Sequence, residues 1–334
     1  SFQGPGEVIV PQPFRVLRSM SKVASNEHCS TSKTACGVEQ VQTDANVESD
    51  TEDSADTSGS SQAKPYKFNA EEIPAYPFKA DFRLEIHGSA IDVMQQVCQQ
   101  HPGGTKAIAV LLPGVHGGVG PCRQPGEIYD ENCLYAVVAK RLHECSAPVD
   151  VYRCSWPFMR PDMNTALSSV VRVIHCALLS AKIAGSKSKR RVKVILVGHS
   201  LGGAVAVNTA LYLCQHFGSD GHGCRDLESL ERATVQVSGL CTLNGAVSAA
   251  SLRSLQEKRG ALDSLRRVKA LLVSGDADQV VPPEASTDLH EVLSHPSVMG
   301  RAAKHLNLPG GTHDLFQHKD RLVHDVTEFI CKCI

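Results

Sequence analysis

One stretch decides the fold: VKVILVGHSLGGAVAVNTA, residues Val192–Ala210. An apolar run leads into Gly-x-Ser-x-Gly, and small residues with helical character follow. A sharp turn from a strand into a helix holds its serine in a strained backbone conformation. Neighbouring chain then crowds the positions two before and two after the serine, where Gly198 and Gly202 carry no side chain. The following helix aims N–H groups and the positive end of its dipole at the same point. The pattern predicts that Ser200 projects above a sheet as a nucleophile.

The rest of the chain from Asp81 onward alternates short apolar runs with segments of helical period. Several runs are continuously apolar, which is typical of strands that are buried on both faces of a parallel sheet. The predicted strands are Phe82–His87, Lys106–Leu112, Val149–Arg153, Val192–Val197, Val235–Leu243, Val268–Val273 and Lys304–Leu308. The predicted helices are Asp130–Cys145, Met163–Ile183, Leu201–Phe217, Ser248–Arg259, Glu284–Leu293 and Lys319–Cys331. This alternation predicts an α/β fold with a mostly parallel, doubly wound sheet flanked by helices, and functional groups at the carboxyl ends of the strands.

Residues 1–80 differ from the remainder in composition. Between Thr34 and Ala63 there are seven acidic residues and no lysine or arginine. The segment Ser49–Ser61 has no large apolar side chain to bury, so folding could not offset its loss of conformational entropy. We therefore expect residues 1–80 to be a disordered acidic Ser/Thr-rich arm and linker, and residues 81–334 to be a single domain with a sizeable core.

Composition excludes several other classes of protein. Of the 334 residues, 42% are hydrophobic and 21% are charged, which is ordinary for a globular chain. There is no apolar run of about 18 residues and no nucleic-acid type block of basic residues, so we expect neither membrane insertion nor nucleic-acid binding. The 13 cysteines lack Cys-x-x-Cys spacing, which favours unpaired thiols in a reducing compartment. We expect a cytoplasmic protein, with organelle targeting left open because the sequence starts at Ser1 rather than at methionine.

A serine nucleophile needs a histidine that is oriented by a carboxylate, and on such a fold these follow in the order Ser…Asp…His. Asp278 and Asp276 both follow a predicted strand. Asp278 lies further into the loop and is preferred as the acid, whereas Asp276 suits a turn or a helix cap. His313 lies in a glycine-rich loop after the last strand and is the candidate base. His318 falls in the next helix and His305 falls inside a strand, so both are weaker candidates.

The tetrahedral intermediate of such a reaction needs backbone N–H donors. One donor should be Leu201, directly after the nucleophile, and the second should come from a loop after an earlier strand. The loop Leu111–Gly118 has glycines that free its backbone to point N–H groups inward. Val115 is the preferred donor and His116 the second choice. A phosphate cradle is excluded because neither Gly-Lys-Ser/Thr nor Gly-x-Gly-x-x-Gly is present at the start of a helix. For His199, between Gly198 and Ser200, we expect a packing role with the ring turned away from Ser200.

Together these motifs resemble those of the α/β-hydrolase superfamily over residues 81–334. The matching segments are GHSLGG (Gly198–Gly203), SGDADQVVP (Ser274–Pro282), GGTHD (Gly310–Asp314) and LLPGVHGG (Leu111–Gly118). The resemblance implies a triad of Ser200, His313 and Asp278. One departure is Pro113-Gly114, where many members have His-Gly. The superfamily contains esterases, thioesterases, lipases, peptidases, acyltransferases and inactive members, so the likeness does not fix a substrate.

The sequence gives three further expectations about the substrate and the site. Only about 24 residues separate the Val235–Leu243 strand from the next one, which leaves no room for a large lid and favours a small to medium acyl substrate of a carboxylesterase or thioesterase. Trp156 and Phe158 could form an apolar wall of the pocket, with His116 also near the substrate. No cofactor and no metal are expected, since the histidines in HEVLSH (residues 290–295) are five positions apart and point about 140° away from each other on a helix.

The alternative to a serine hydrolase is a non-catalytic binding or scaffold protein with this fold. Oligomeric state is left open.

Overall fold

The fold is that of a computed structural model. It describes residues 80–86, 89–96, 105–115, 117, 120–122, 132–156, 162–180, 191–217, 234–247, 265, 268–294 and 303–334. The chain divides into two units, and all described residues belong to the second, Tyr66–Ile334. The expected acidic arm and the expected helix Ser248–Arg259 lie outside the described residues, as does most of the link in which a lid was judged absent.

A mostly parallel sheet of eight strands forms the centre of the domain. Its spatial order is β1-β2-β4-β3-β5-β6-β7-β8. The first two strands run antiparallel to their neighbours, and every pairing from β4 to β8 is parallel. The strands are β1 (Phe82–Ile86), β2 (Ser89–Gln96), β3 (Ala107–Leu112), β4 (Val149–Ser155), β5 (Arg191–His199), β6 (Thr234–Leu243), β7 (Lys269–Gly275) and β8 (Lys304–Leu308). The predicted fold class is confirmed.

Helices cover both faces of this sheet. In the described part of the chain they are α1 (Leu134–Glu144), α2 (Met163–Ser180), α3 (Leu201–Phe217), α4 (Glu284–Ser294) and α5 (Lys319–Cys333), with one turn of 3₁₀ helix at Phe316–His318. Strand β3 explains why both faces must be covered, because all six of its residues are buried. Ile108 and its alternate neighbours pack with α2 and α3. Ala109 and its alternate neighbours pack with α1 and α5. The period-2 alternation of a strand therefore divides one apolar run between two cores.

Strand β2 was not predicted from the sequence. Its segment SAIDVMQQ contains a carboxylate and two glutamines, which interrupt the apolar pattern. In the fold Ile91 and Val93 are fully buried on one face. The intervening Asp92 is paired with Arg83 on β1 through contacts of 2.6 and 2.9 Å. This ion pair with the adjacent strand stabilises the Asp92 carboxylate. The sequence of one segment does not show such a partner, so the charged residue argued against a strand there.

Helix α2 is long and apolar enough to cross a membrane by length and composition alone, and it is the one such helix among the described residues. Ala166, Val170 and Ile174 along it are buried against the strands and α3. This packing accounts for its apolar character as that of a core helix in an α/β domain.

Candidate active site

Ser200 occupies the turn between β5 and α3 in a left-handed backbone conformation. Its φ is 53°, which is uncommon for a residue with a side chain. Backbone hydrogen bonds hold the turn: Ser200 N–H donates to the Leu243 carbonyl at 3.0 Å, and the Ser200 carbonyl accepts from Gly203 and Ala246 at 2.9 Å. These contacts fix the position of the serine between the carboxyl end of β6 and the first turn of α3.

The glycines beside Ser200 are required by close backbone approaches. A Cβ on Gly198 would overlap the carbonyl of Gly202. A Cβ on Gly202 would overlap the carbonyl oxygens of Leu112 and Pro113 at the end of β3. The spacing of the motif thus has the steric cause that the sequence indicated.

Asp278 and His313 meet through their side chains. Nδ1 of His313 lies 2.8 Å from Oδ2 of Asp278. The Asp278 side chain is fully buried, while that of His313 is 24% exposed. The other carboxylate oxygen, Oδ1, accepts from the backbone N–H groups of Val280 at 2.8 Å and Val281 at 3.0 Å. Both oxygens are therefore occupied, and the ring of His313 is anchored at Nδ1.

The competing residues have other partners. Asp276 is exposed and its Oδ1 accepts from the backbone N–H of Gly310 at 2.6 Å. It therefore ties the segment that carries Asp278 (Ser274–Pro282, the acid turn) to the segment that carries His313 (Gly310–Asp314, the histidine turn). His318 contacts the Pro309 carbonyl at 3.0 Å. His305 on β8 contacts the hydroxyl of Ser274 at 2.9 Å.

His199 directly precedes Ser200 in the chain and contacts the main chain of His313. Within the described residues, the Ser200 hydroxyl makes no hydrogen bond to the His313 ring; catalytic hydrogen bonds are often long before substrate binds. Nε2 of His199 lies 2.9 Å from the His313 carbonyl, and the two rings are 4.9 Å apart between centroids. Nδ1 of His199 and Cβ of Ser200 are each 3.3 Å from the place that a Cβ on Gly114 would take. His199 thus borders the site and has a polar contact in addition to the packing role that was expected.

The loop after β3 lies over Ser200. Gly114 and Gly117 close a turn around Val115, with the Gly117 N–H donating to the Gly114 carbonyl at 3.1 Å. Gly117 has a φ of 65°, and a Cβ there would overlap the carbonyl of Trp156. Val115 is half-buried. Leu201 is the first residue of α3, where backbone N–H groups have no partner within the helix. Leu201 therefore follows Ser200 directly, and Val115 follows Gly114, which approaches Ser200; their role as donors stays a prediction.

The expected pocket wall is only partly described. Trp156 follows β4 and is 2% exposed in the core on the side of α2 and α3. Its indole N–H is buried and has no hydrogen-bond partner among the described residues. Phe158 and His116 lie outside the described residues. No group of three or more His, Cys, Asp or Glu side chains suitable for a metal occurs in the described part of the chain.

One residue of this region was missed by the sequence reasoning. Asn244 follows β6, is 1% exposed and has a φ of 45°. Its side chain contacts the backbone of both the acid turn and the histidine turn. The only signal in the sequence was an Asn-Gly pair after a buried strand, which also suits an ordinary turn.

Comparison with known proteins identifies the class of protein. Residues 109–326 match the family described as "Alpha/beta hydrolase family". The chain belongs to this family.

Solved structures to which the chain is similar include the following three, all at low identity. Est1E from Butyrivibrio proteoclasticus, solved with ferulic acid, is 17% identical with a TM-score of 0.47, covering 75% of this chain and 98% of that one. Acyl-protein thioesterase 2 from Zea mays is 16% identical with a TM-score of 0.43, covering 72% and 98%. A monoacylglycerol lipase from Paleococcus ferrophilus is 15% identical with a TM-score of 0.43, covering 73% and 99%. The comparison with curated proteins gave no significant match.

Proposed function

We propose that this protein is a serine hydrolase that cleaves a carboxylic ester or thioester of a small to medium acyl substrate. Ser200 acts as the nucleophile, His313 as the base and Asp278 as the acid that orients the ring. The observation that carries the proposal is the 2.8 Å contact between Nδ1 of His313 and the fully buried carboxylate of Asp278. A buried carboxylate holds the proton on Nδ1 and leaves Nε2 as the acceptor that a serine hydroxyl needs.

The reaction follows from these roles. The Ser200 oxygen attacks the acyl carbonyl carbon while its proton moves to Nε2 of His313. The imidazolium then gives this proton to the leaving alcohol or thiol, and the bond from the acyl carbon to that group breaks. Water attacks the resulting acyl-enzyme by the same relay in reverse, which releases the acid and restores Ser200.

Backbone donors would stabilise the negative charge on the tetrahedral intermediate. Leu201 supplies an N–H at the start of α3, and Val115 supplies one from the loop over Ser200. Each such donor typically contributes on the order of 3 kcal/mol to the transition state. The close approach of Gly114 to Ser200 supports this role, because a side chain there would occupy space beside the nucleophile.

The test is covalent labelling with a fluorophosphonate probe, followed by turnover of a panel of chromogenic esters and thioesters of increasing acyl length. We expect Ser200→Ala to abolish labelling and to lower kcat by about 10⁶-fold. Ser238→Ala is the matched control, because this buried serine on β6 has no hydrogen-bond partner among the described residues. The control should keep labelling and turnover.

Two results would contradict the proposal. Folded wild-type protein that neither labels nor hydrolyses any ester would favour the non-catalytic binding protein. Turnover that survives in Ser200→Ala would show that another group is the nucleophile. The acyl length that gives the highest kcat/KM would define the substrate class.

A further inference from the structure

The side chain of Asn244 makes three hydrogen bonds to backbone groups of the two turns that carry Asp278 and His313. Its Oδ1 accepts from the N–H of Gly275 at 2.8 Å. Its Nδ2 donates to the carbonyls of Thr312 at 3.0 Å and His313 at 2.9 Å. The partners fix the orientation of the amide, since an N–H needs an acceptor and a carbonyl needs a donor.

The backbone of Asn244 adds a further tie. Its own N–H donates to the Val273 carbonyl on β7 at 2.8 Å. The residue is 1% exposed, so water does not replace these bonds when they are lost. Its φ of 45° lies in the left-handed region, which asparagine and aspartate tolerate better than most residues with a side chain.

The His313 carbonyl has a second donor in His199. Its Nε2 is 2.9 Å from that oxygen. A carbonyl accepts only, so this nitrogen carries the proton in the contact. Asn244 and His199 thus fill both lone pairs of the carbonyl of the residue whose ring bonds Asp278.

We propose that Asn244 and His199 form a clamp on the His313 carbonyl and are positioning residues for the proposed triad. This inference rests on the proposed function. Neither side chain takes part in bond making. The clamp fixes the main chain of His313, so that one ring can bond Asp278 at Nδ1 while Nε2 faces Ser200. A displacement of about 1 Å at a reacting group can cost about 100-fold in rate.

The first test is Asn244→Asp. Aspartate has nearly the same shape, tolerates the backbone conformation and still accepts from Gly275, but it replaces the two donated bonds by an oxygen facing two carbonyls. We expect kcat and the rate of fluorophosphonate labelling to fall by about 100-fold, with KM little changed. Asn208→Asp on α3 is the matched control, since its Nδ2 donates to the Ala204 carbonyl at 2.9 Å away from the turns. It should keep wild-type kcat.

The second test separates positioning from general stability. His199→Phe removes the donor but keeps a ring, whereas His199→Gln keeps an N–H donor on a flexible chain. We expect His199→Phe to lower kcat by at least 10-fold and His199→Gln to restore part of it. All rates are taken per folded molecule, measured by the native fraction in a thermal melt, so a loss of stability alone would leave kcat unchanged. If Asn244→Asp does not fold, the His199 pair decides the matter.

The outcomes distinguish the clamp from the function beneath it. Wild-type kcat and labelling in folded Asn244→Asp, or in both His199 variants, overturn the clamp while the serine mechanism stands. A fall in kcat in Asn208→Asp equal to that in Asn244→Asp also overturns it. Absence of Ser200-dependent labelling in the wild-type protein overturns the proposed function, and the clamp with it.

Discussion

Replacement of Asp278 by asparagine should disable the proposed triad while leaving its shape intact. The Asp278 side chain is fully buried. Its Oδ1 accepts two backbone N–H groups, from Val280 and Val281. In Asp278→Asn the amide oxygen is expected to stay on these donors, because an NH₂ group there would face two N–H donors and leave the buried Val281 N–H unpaired.

The amide NH₂ must then face Nδ1 of His313. Nδ1 becomes the acceptor and the ring proton moves to Nε2, the nitrogen that has to accept the proton of Ser200. A triad with this wrong tautomer loses about 10⁴ in kcat. At about 1.36 kcal/mol for each factor of ten, this corresponds to roughly 5.4 kcal/mol in the activation free energy.

The assay is steady-state turnover of the best ester from the panel, with fluorophosphonate labelling as a second measure. Asp276→Asn is the matched control. The exposed Asp276 accepts from Gly310 through Oδ1, and asparagine keeps that acceptor, so kcat should stay within about a factor of two. Near wild-type kcat in folded Asp278→Asn would refute the assignment of the acid. A 10⁴-fold loss in Asp276→Asn instead would move the role to that residue.

Two other changes test the packing beneath the site and its response to pH. Gly202→Ala forces a Cβ onto the carbonyls of Leu112 and Pro113, and we expect a loss of at least 10-fold in kcat and a lower Tm. Gly310→Ala is the control, because a Cβ on Gly310 would meet no neighbouring atom and the φ there is 68°. This variant should lower the unfolding free energy by only about 1–2 kcal/mol. Equal losses in kcat in the two variants would contradict the steric account. Burial and the nearby His290 lower the pKa of His305 from its ordinary 6.5. Since the folded chain favours the neutral His305 ring, the unfolding free energy should fall as the pH drops from 7.5 to 5.5. Urea titrations at several pH values should show a smaller fall in His305→Gln. The same pH dependence in the variant and in the wild-type protein would contradict this prediction.

The sequence predicted the elements whose hydrophobic pattern follows directly from the burial of their own residues. Helix α3 and strand β8 have the predicted bounds. A turn residue stands at one end of each, Ser200 before α3 and Pro309 after β8. Strands β4 and β7 run two residues further than predicted, to Ser155 and Gly275. Those polar or small residues still pair with a neighbouring strand, and periodicity in a single segment does not contain that information.

The site was predictable in part, because the carboxyl ends of parallel strands lie at the same edge of a sheet and the turns that follow them meet there. A strand, a turn residue and the order Ser…Asp…His were enough to bring Asp278 and His313 together as the contacting pair, although the roles remain predictions until the variants above are measured. The preference for Asp278 over Asp276 agrees with the contacts of both. Asn244 was not predictable, because its partners are backbone groups of turns that lie 31 and more residues away in the sequence.

The strand order gives a physical reason for a clamp at this place. Ser200 follows β5, Asp278 follows β7 and His313 follows β8, with β6 between the serine and the other two. Neighbouring strands are about 4.8 Å apart, so β5 and β8 are separated by roughly 14 Å. For His313 to act as the base of Ser200, the histidine turn must therefore reach back across the ends of β7 and β6. Asn244 is the first residue after β6, and its amide donates to the carbonyls of Thr312 and His313 in the histidine turn. The proposed triad would span four strands, and the proposed clamp would support it at the end of β6, the strand that bears none of the three catalytic candidates.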